Sequence, residues 1–186
     1  MYLEKGFQYL GFNLKPNCSK LQDWVWLWER VDRKIDLWSY RYLSLGGRLM
    51  LTKSVMESIT VYWLSLFKVP KTILVGLRRR FTYFLWSGNE SDNKIHLAHW
   101  ELLTKPKCLG GWGLKNLELF NRALRMKSLW RGLYADTLWS RVLVDKYLKD
   151  SSVFEWFRSD LSQKHNVSTI WRGFMEVAQW IKLKLA

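Results

Sequence analysis

LQDWVWLWERVDRKIDLW, residues 21 to 38, carries its apolar side chains at Leu21, Trp24, Trp28, Val31, Ile35 and Trp38. The intervals are three, four, three, four and three residues, the seam of an amphipathic helix and not the every-second-residue alternation of a strand. Its other face holds Asp23, Glu29, Arg30, Asp32, Arg33, Lys34 and Asp36. Such a mixed surface is accounted for by i, i+4 pairing in water as readily as by a ligand. Just upstream, Pro16 and Asn17 close the preceding segment, and Ser19 with Gln22 has the spacing of a capping box, so the spacing predicts a helix from about residue 20.

The same period recurs along the chain. Before the first helix, GFQYLGFNL at residues 6 to 14 puts Leu10, Phe12 and Leu14 on one side and Phe7, Tyr9 and Gly11 on the other, which predicts a strand or tight hairpin. After it, Gly46 and Gly47 interrupt the pattern, and residues 48 to 67 predict a helix burying Met50, Val55, Ile59 and Tyr62. Pro70 suits the first turn of a third helix with a seam of Ile73 or Leu74, Leu77, Phe81, Phe84 and Leu85, ending near Ser87 and Gly88. Residues 94 to 100 read equally as a strand or a helix start, and the glycines at 110, 111 and 113 read as a tight connection. Asn116 caps a long helix whose predicted buried face is Leu117, Phe120, Leu124 and Trp130, with Arg122, Arg125, Lys127 and Arg131 making it basic along much of its length. A further helix is expected over residues 137 to 149. Residues 150 to 168 are weakly patterned, and Ile170, Phe174, Val177, Ile181 and Leu185 mark a terminal helix. The fold class expected is mainly α: a helical bundle with a short N-terminal β-hairpin.

Composition bounds the function. With 186 residues, 48% of them hydrophobic, the chain can bury a core, and disorder is excluded for its bulk. Thirteen Trp residues predict packing dominated by aromatic rings. Thirty Lys plus Arg against sixteen Asp plus Glu give +14, and the excess is divided equally between residues 1 to 90 and 91 to 186, so it belongs to the folded body and attracts polyanions. Two cysteines, Cys18 and Cys108, are too few for a disulfide framework and fit a reducing compartment. No run approaches the roughly 18 to 20 apolar residues of a membrane span, and residues 1 to 5 lack a secretory pattern. The expectation is a nuclear or cytoplasmic protein without a membrane partner.

Catalytic motifs are missing from this pattern. His96, His99 and Cys108 fall short of four zinc ligands, with Cys18 distant in sequence. Gly110, Gly111 and Gly113 lack the Gly-Lys-Ser/Thr ending of a phosphate loop. Tyr134, Ala135, Asp136 and Thr137 resemble a polymerase Tyr-Ala-Asp-Asp turn, but Thr137 stands where the second metal-binding carboxylate is needed, and the flanks read as helix ends. No catalytic residue, metal or cofactor is therefore expected. Cations on helices interleaved with aromatic rings suit the neutralisation of phosphates and stacking on bases, while a wholly buried set of Trp rings under a solubilising surface stays open.

Four blocks carry a resemblance: FQYLGFNL at 7 to 14, WSYRYLSLGGRLMLTKSVMESITVYWLSLF at 38 to 67, FLWSG at 84 to 88, and GGWGLKNLELFNRALRMKSLW at 110 to 130. In this order they resemble the C-terminal part of the reverse transcriptase of plant non-LTR (LINE-type) retrotransposons, over roughly residues 6 to 149. The resemblance implies a primer-grip-like remnant of the palm at 1–17, with Tyr9, Leu10 and Gly11 near the primer terminus. It implies thumb-like helices at 18–90, a helical connection at 91–150 and a C-terminal helical extension at 151–186. The fingers and most of the palm, with the polymerase aspartates, would precede residue 1, and a zinc-binding segment would follow the last residue. The chain would then be a truncated element protein that does not polymerise DNA alone. Its implied partners are RNA, DNA or an RNA–DNA hybrid and the missing palm and fingers. A thumb-like body of this charge is expected to contact phosphates through Arg30, Arg33, Lys34, Arg48, Lys53, Arg78, Arg79 and Arg80. The other function class is a non-catalytic helical interaction module, or a degenerate fragment with no independent activity.

Overall fold

The computed structural model describes residues 7–9, 12–14, 21–39, 43–87, 96–148, 151–159 and 167–185. The chain divides into two compact units, one of Cys18–Trp63 and Val69–Phe120, the other of Met1–Asn17, Leu64–Lys68 and Asn121–Ala186. The described core is built by helices, as the seams predict.

In the first of these units a 3₁₀ turn, Leu21–Trp24, runs into α1 (Val25–Ser39). Trp24, Leu27, Val31 and Ile35 are buried, whereas Leu21, expected to open the seam, is exposed. The capping pair expected at Ser19 lies outside the described residues. α1 packs on α4 (Lys71–Trp86), whose Ile73, Leu74, Leu77, Phe81, Phe84 and Leu85 are all buried. Gly76 sets how closely they approach: a Cβ there would fall 2.5 Å from the Trp28 ring. With no side chain in the way, the Trp28 indole N–H donates to the Ile73 carbonyl at 3.1 Å.

Between them, α2 (Leu45–Leu51), a π-helical turn (Thr52–Met56) and α3 (Glu57–Leu66) follow one another without a break. Gly46 and Gly47 sit inside the first turn of α2, because Ser44 caps it, accepting from the Gly47 N–H at 3.2 Å. The buried face also differs from the expected one. Met50 and Tyr62 are exposed, while Thr52, Met56, Thr60, Trp63 and Leu64 are buried. A π turn holds one residue more than an α turn, so an apolar seam projected through it at a constant 3.6-residue period slips out of register.

α5 (Trp100–Leu103) and a 3₁₀ turn (Lys107–Leu109) lead into the glycine-rich connection. Gly110 and Gly113 have φ of 77° and 68°, and a Cβ on Gly111 would lie 2.0 Å from the Lys105 carbonyl oxygen. The glycines are thus a backbone requirement. Buried Glu57 holds the connection, accepting from the Lys115 N–H at 2.7 Å and pairing with Lys115 Nζ at 3.3 Å. Asn116 then caps α6 (Leu117–Tyr134), its side-chain oxygen accepting from Glu118 N–H at 3.1 Å and Leu119 N–H at 3.3 Å.

In the other unit, strands β1 (Phe7–Tyr9) and β2 (Phe12–Leu14) pair antiparallel with Phe7 opposite Leu14. Leu10 and Gly11, between them, lie outside the described residues. The core gathers Leu129 of α6, Leu143 of α7 (Leu138–Leu143), Leu148 of a π turn (Val144–Leu148), Trp156 of α8 (Val153–Arg158), and Trp171, Phe174, Met175 and Ala178 of α9 (Thr169–Leu185). Tyr147 stacks on Trp171 with centroids 4.1 Å apart and planes 3° from parallel. α8 falls in the stretch read as weakly patterned, although Ser152 and Glu155 form a capping box at its start.

The buried flank of α6 here is polar. Asn121 donates to the carbonyls of Leu64 and Phe67 at 2.7 and 2.9 Å. Arg125, outside the apolar face read from the sequence, is 4% exposed; it donates to the Gly173 carbonyl at 2.9 Å and meets Glu176 at 3.3 Å. Burial pulls the Arg125 guanidinium below its ordinary pKa, an effect that Glu176 partly offsets. For Glu176 burial acts upward, but the hydrogen bond and charge of Lys68, 2.9 Å away, and the charge of Arg125 outweigh it and hold the carboxyl below the usual glutamate value.

Candidate nucleic-acid interface

α1 presents Arg30, Arg33 and Lys34, all exposed, along one flank of the buried seam of Leu27 and Val31. Arg33 Nε donates to the Glu29 carbonyl within its own helix at 3.4 Å. Arg30 and Lys34 reach no carboxylate among the described residues. Three cations within five residues of a rigid helix offer contact points for a phosphate backbone, on a helix whose Glu29, Asp32 and Asp36 bring its net charge to zero. Asp32 does not neutralise them, since its carboxylate accepts from Arg80 Nε at 2.7 Å.

The three arginines of α4 differ from one another. Arg80 pairs with Asp32 and lies over the Trp28 ring at 4.7 Å, fastening α4 to α1. Arg78 pairs with Glu101 at 3.2 Å. Arg79 is exposed and meets no carboxylate among the described residues. All three border a groove of about 640 Å³ between α1, α4 and residues 96 to 101, into which Asp32, Asp36 and Glu101 also face. Three carboxylates beside three guanidiniums make this groove a weak anion site, because its positive charge is largely compensated in place.

The two remaining cations lie on α2 and the π turn. Lys53, in the π turn, donates its ammonium to the Trp112 carbonyl of the glycine-rich connection. Arg48, in α2, is half-buried, and its Nε has no hydrogen-bond partner among the described residues. Tyr9 is the last residue of β1, opposite Phe12, and Leu10 and Gly11 lie outside the described residues. The structure therefore brings Arg30, Arg33 and Lys34 together on one helix and does not join Arg48 or Lys53 to them.

The segment of Tyr134, Ala135, Asp136 and Thr137 joins α6 to α7. Thr137 caps α7, accepting from the Ser140 N–H at 3.2 Å, and Asp136 pairs with Arg141 at 2.9 Å. His96 and His99 lie along the groove, and Cys108 is exposed. Among the described residues no three His, Cys, Asp or Glu side chains gather in a metal-binding group. No helix of the described residues is long and apolar enough to cross a membrane.

A feature the sequence reading missed is an exposed aromatic surface on α6 and α7. Trp130 was expected inside, yet it is 56% exposed, with Tyr134 at 58% and Trp139 at 48%. The signal in the sequence was the polar pair Asn121 and Arg125 at i, i+4, continuing to Leu129, which rotates the buried face away from Trp130.

The chain has plant relatives. An Arabidopsis thaliana protein named "Putative ribonuclease H protein At1g65750" is 36% identical over 150 residues, covering 78% of this chain and 23% of that protein. The "Uncharacterized mitochondrial protein AtMg00310" of the same plant is 36% identical over 100 residues, covering 53% of this chain and 65% of that protein. The chain thus spans less than two thirds of either relative. No protein-family model matches it.

Proposed function

We propose that this chain is the template–primer-gripping helical part of a plant non-LTR retroelement reverse transcriptase, acting on RNA, DNA or their hybrid through phosphate contacts. The observation that carries this reading is the exposed trio Arg30, Arg33 and Lys34 on one face of α1, in a chain of net charge +14. Similarity to a plant protein named for ribonuclease H, an activity directed at RNA in RNA–DNA hybrids, supports it. Arg79 extends the contact on α4, and Tyr9, Leu10 and Gly11 take the primer-terminus position. Binding of this kind releases counterions and varies little with base sequence.

In this reading the chain supplies grip and no polymerisation chemistry of its own. Two-metal phosphoryl transfer needs paired carboxylates. At the one polymerase-like turn, Asp136 is tied to Arg141 and Thr137 is a helix cap.

The test is fluorescence anisotropy of the full chain with a labelled RNA–DNA hybrid over a range of salt. A steep loss of affinity with salt, similar for unrelated sequences, is expected. Absence of binding at low salt, or affinity indifferent to salt, would instead favour the helical docking module.

A further inference from the structure

We propose that α6 and α7 form a second nucleic-acid contact, a stacking platform selective for an unpaired strand and separate from the α1 cations. Trp130 and Tyr134, one turn apart on α6, place their rings 4.4 Å apart and 32° from parallel, both more than half exposed. At that spacing no base fits between them, so a base adds to the outer face of the pair. One helical step round, Ser128, Arg131 and Ala135 border an open cleft of about 520 Å³, floored by Ile170 and Phe174 and walled by Trp139. That is within the roughly 300–1,000 Å³ of ligand clefts. Trp139 passes over Gly132, which has no side chain and so admits the Leu143 methyl to 2.6 Å from where a Cβ would stand.

Charge selects the occupant. Exposed Lys127 and Arg131 stand three residues before Trp130 and Tyr134 on α6, and exposed Arg141 two residues after Trp139 on α7. The nearby carboxylate Asp136 is already held by Arg141 at 2.9 Å. Flat apolar rings bordered by cations suit a polyanion that offers flat apolar faces, which is a single-stranded nucleic acid; a duplex hides its base faces in its own stack. An acidic protein segment would use the cations and leave the rings idle, and an apolar one would bury Lys127 and Arg131 unpaired.

The platform is tested with the full chain carrying Trp130→Ala and Tyr134→Ala. Both side chains are largely outside the core, so the circular dichroism spectrum should be unchanged. Anisotropy with a labelled oligothymidylate should show affinity lowered by about tenfold, since stacking on an aromatic ring contributes on that order per base. Affinity for a duplex of equal length should change by less than about twofold, because duplex binding rests on phosphates alone. Trp130→Phe with Tyr134→Phe should recover most of the loss, and Arg131→Gln should flatten the single-strand salt slope by about 0.7. Equal losses for both ligands, a Phe variant as weak as the Ala variant, or an unchanged single-strand affinity would overturn the proposal. If that unchanged affinity came with a change from dimer to monomer in sedimentation, the surface would be assigned to self-association. The α1 variants do not enter this test, so it can fail while the proposed phosphate grip stands.

Discussion

On α4, Arg78, Arg79 and Arg80 stand at the rim of a groove while the buried face of the helix is wholly apolar; on α6 Arg125 lies within the buried face and serves as part of the core itself. The first arrangement leaves the helix seam hydrophobic and the cations at the surface, where two of them find carboxylates. The second sets a guanidinium on the Gly173 carbonyl within α9 and the Asn121 amide on the Leu64 and Phe67 carbonyls at the end of α3. The same residue type pairs at the surface in one place and takes a core position in the other, and only its partners tell which.

That difference is most sharply exposed by removing the buried arginine. Arg125→Ala deletes the bonds to Gly173 and Glu176 and opens a void beside α9, so thermal or urea unfolding should show a loss of about 3 kcal/mol. Arg78→Ala, at an exposed pair, should change stability by less than about 1 kcal/mol. Comparable losses at both positions would erase the distinction.

The α1–α4 contact comes next. Gly76→Ala places a methyl 2.5 Å from the Trp28 ring. It should therefore destabilise by about 2 kcal/mol, although alanine is the better helix former by about 1 kcal/mol. A stabilised variant would mean that Trp28 yields its place without loss.

How much was legible follows the same line. α4 could be read residue by residue because its core positions are all apolar and its period is constant. α2 and α3 could be located but not oriented, since the π turn at Thr52–Met56 shifts the phase and no residue pattern announces it. On α6 the cap at Asn116 was visible, yet a hydropathy seam cannot select Asn121 and Arg125 as buried, and it took Trp130 instead. The candidate site was legible as charge. Ion pairing was not, because Arg80 with Asp32 and Arg78 with Glu101 join residues 48 and 23 positions apart.

A smaller effect concerns acid. The folded-state pKa of Glu176 is depressed, so its contribution is complete above the ordinary glutamate pKa and is lost as pH falls through the lower folded value. Stability should decline across that acid window, and Glu176→Gln should remove part of the decline while lowering stability modestly at neutral pH. The effect is limited by solvent screening, since the Glu176 side chain is 42% exposed. A pH profile identical in both proteins would show that Lys68 and Arg125 do not act on the carboxylate.

The most direct measurement compares salt slopes for hybrid-duplex binding between the intact chain, the Arg30→Gln, Arg33→Gln, Lys34→Gln variant, and an Arg78→Gln, Arg80→Gln variant. If α1 grips phosphates and the paired arginines of α4 are structural, the triple variant should flatten the slope by about 2 to 3, at roughly 0.9 per lost contact, and the double variant by less than about 1. A triple variant that remains folded and keeps the intact slope would contradict the account.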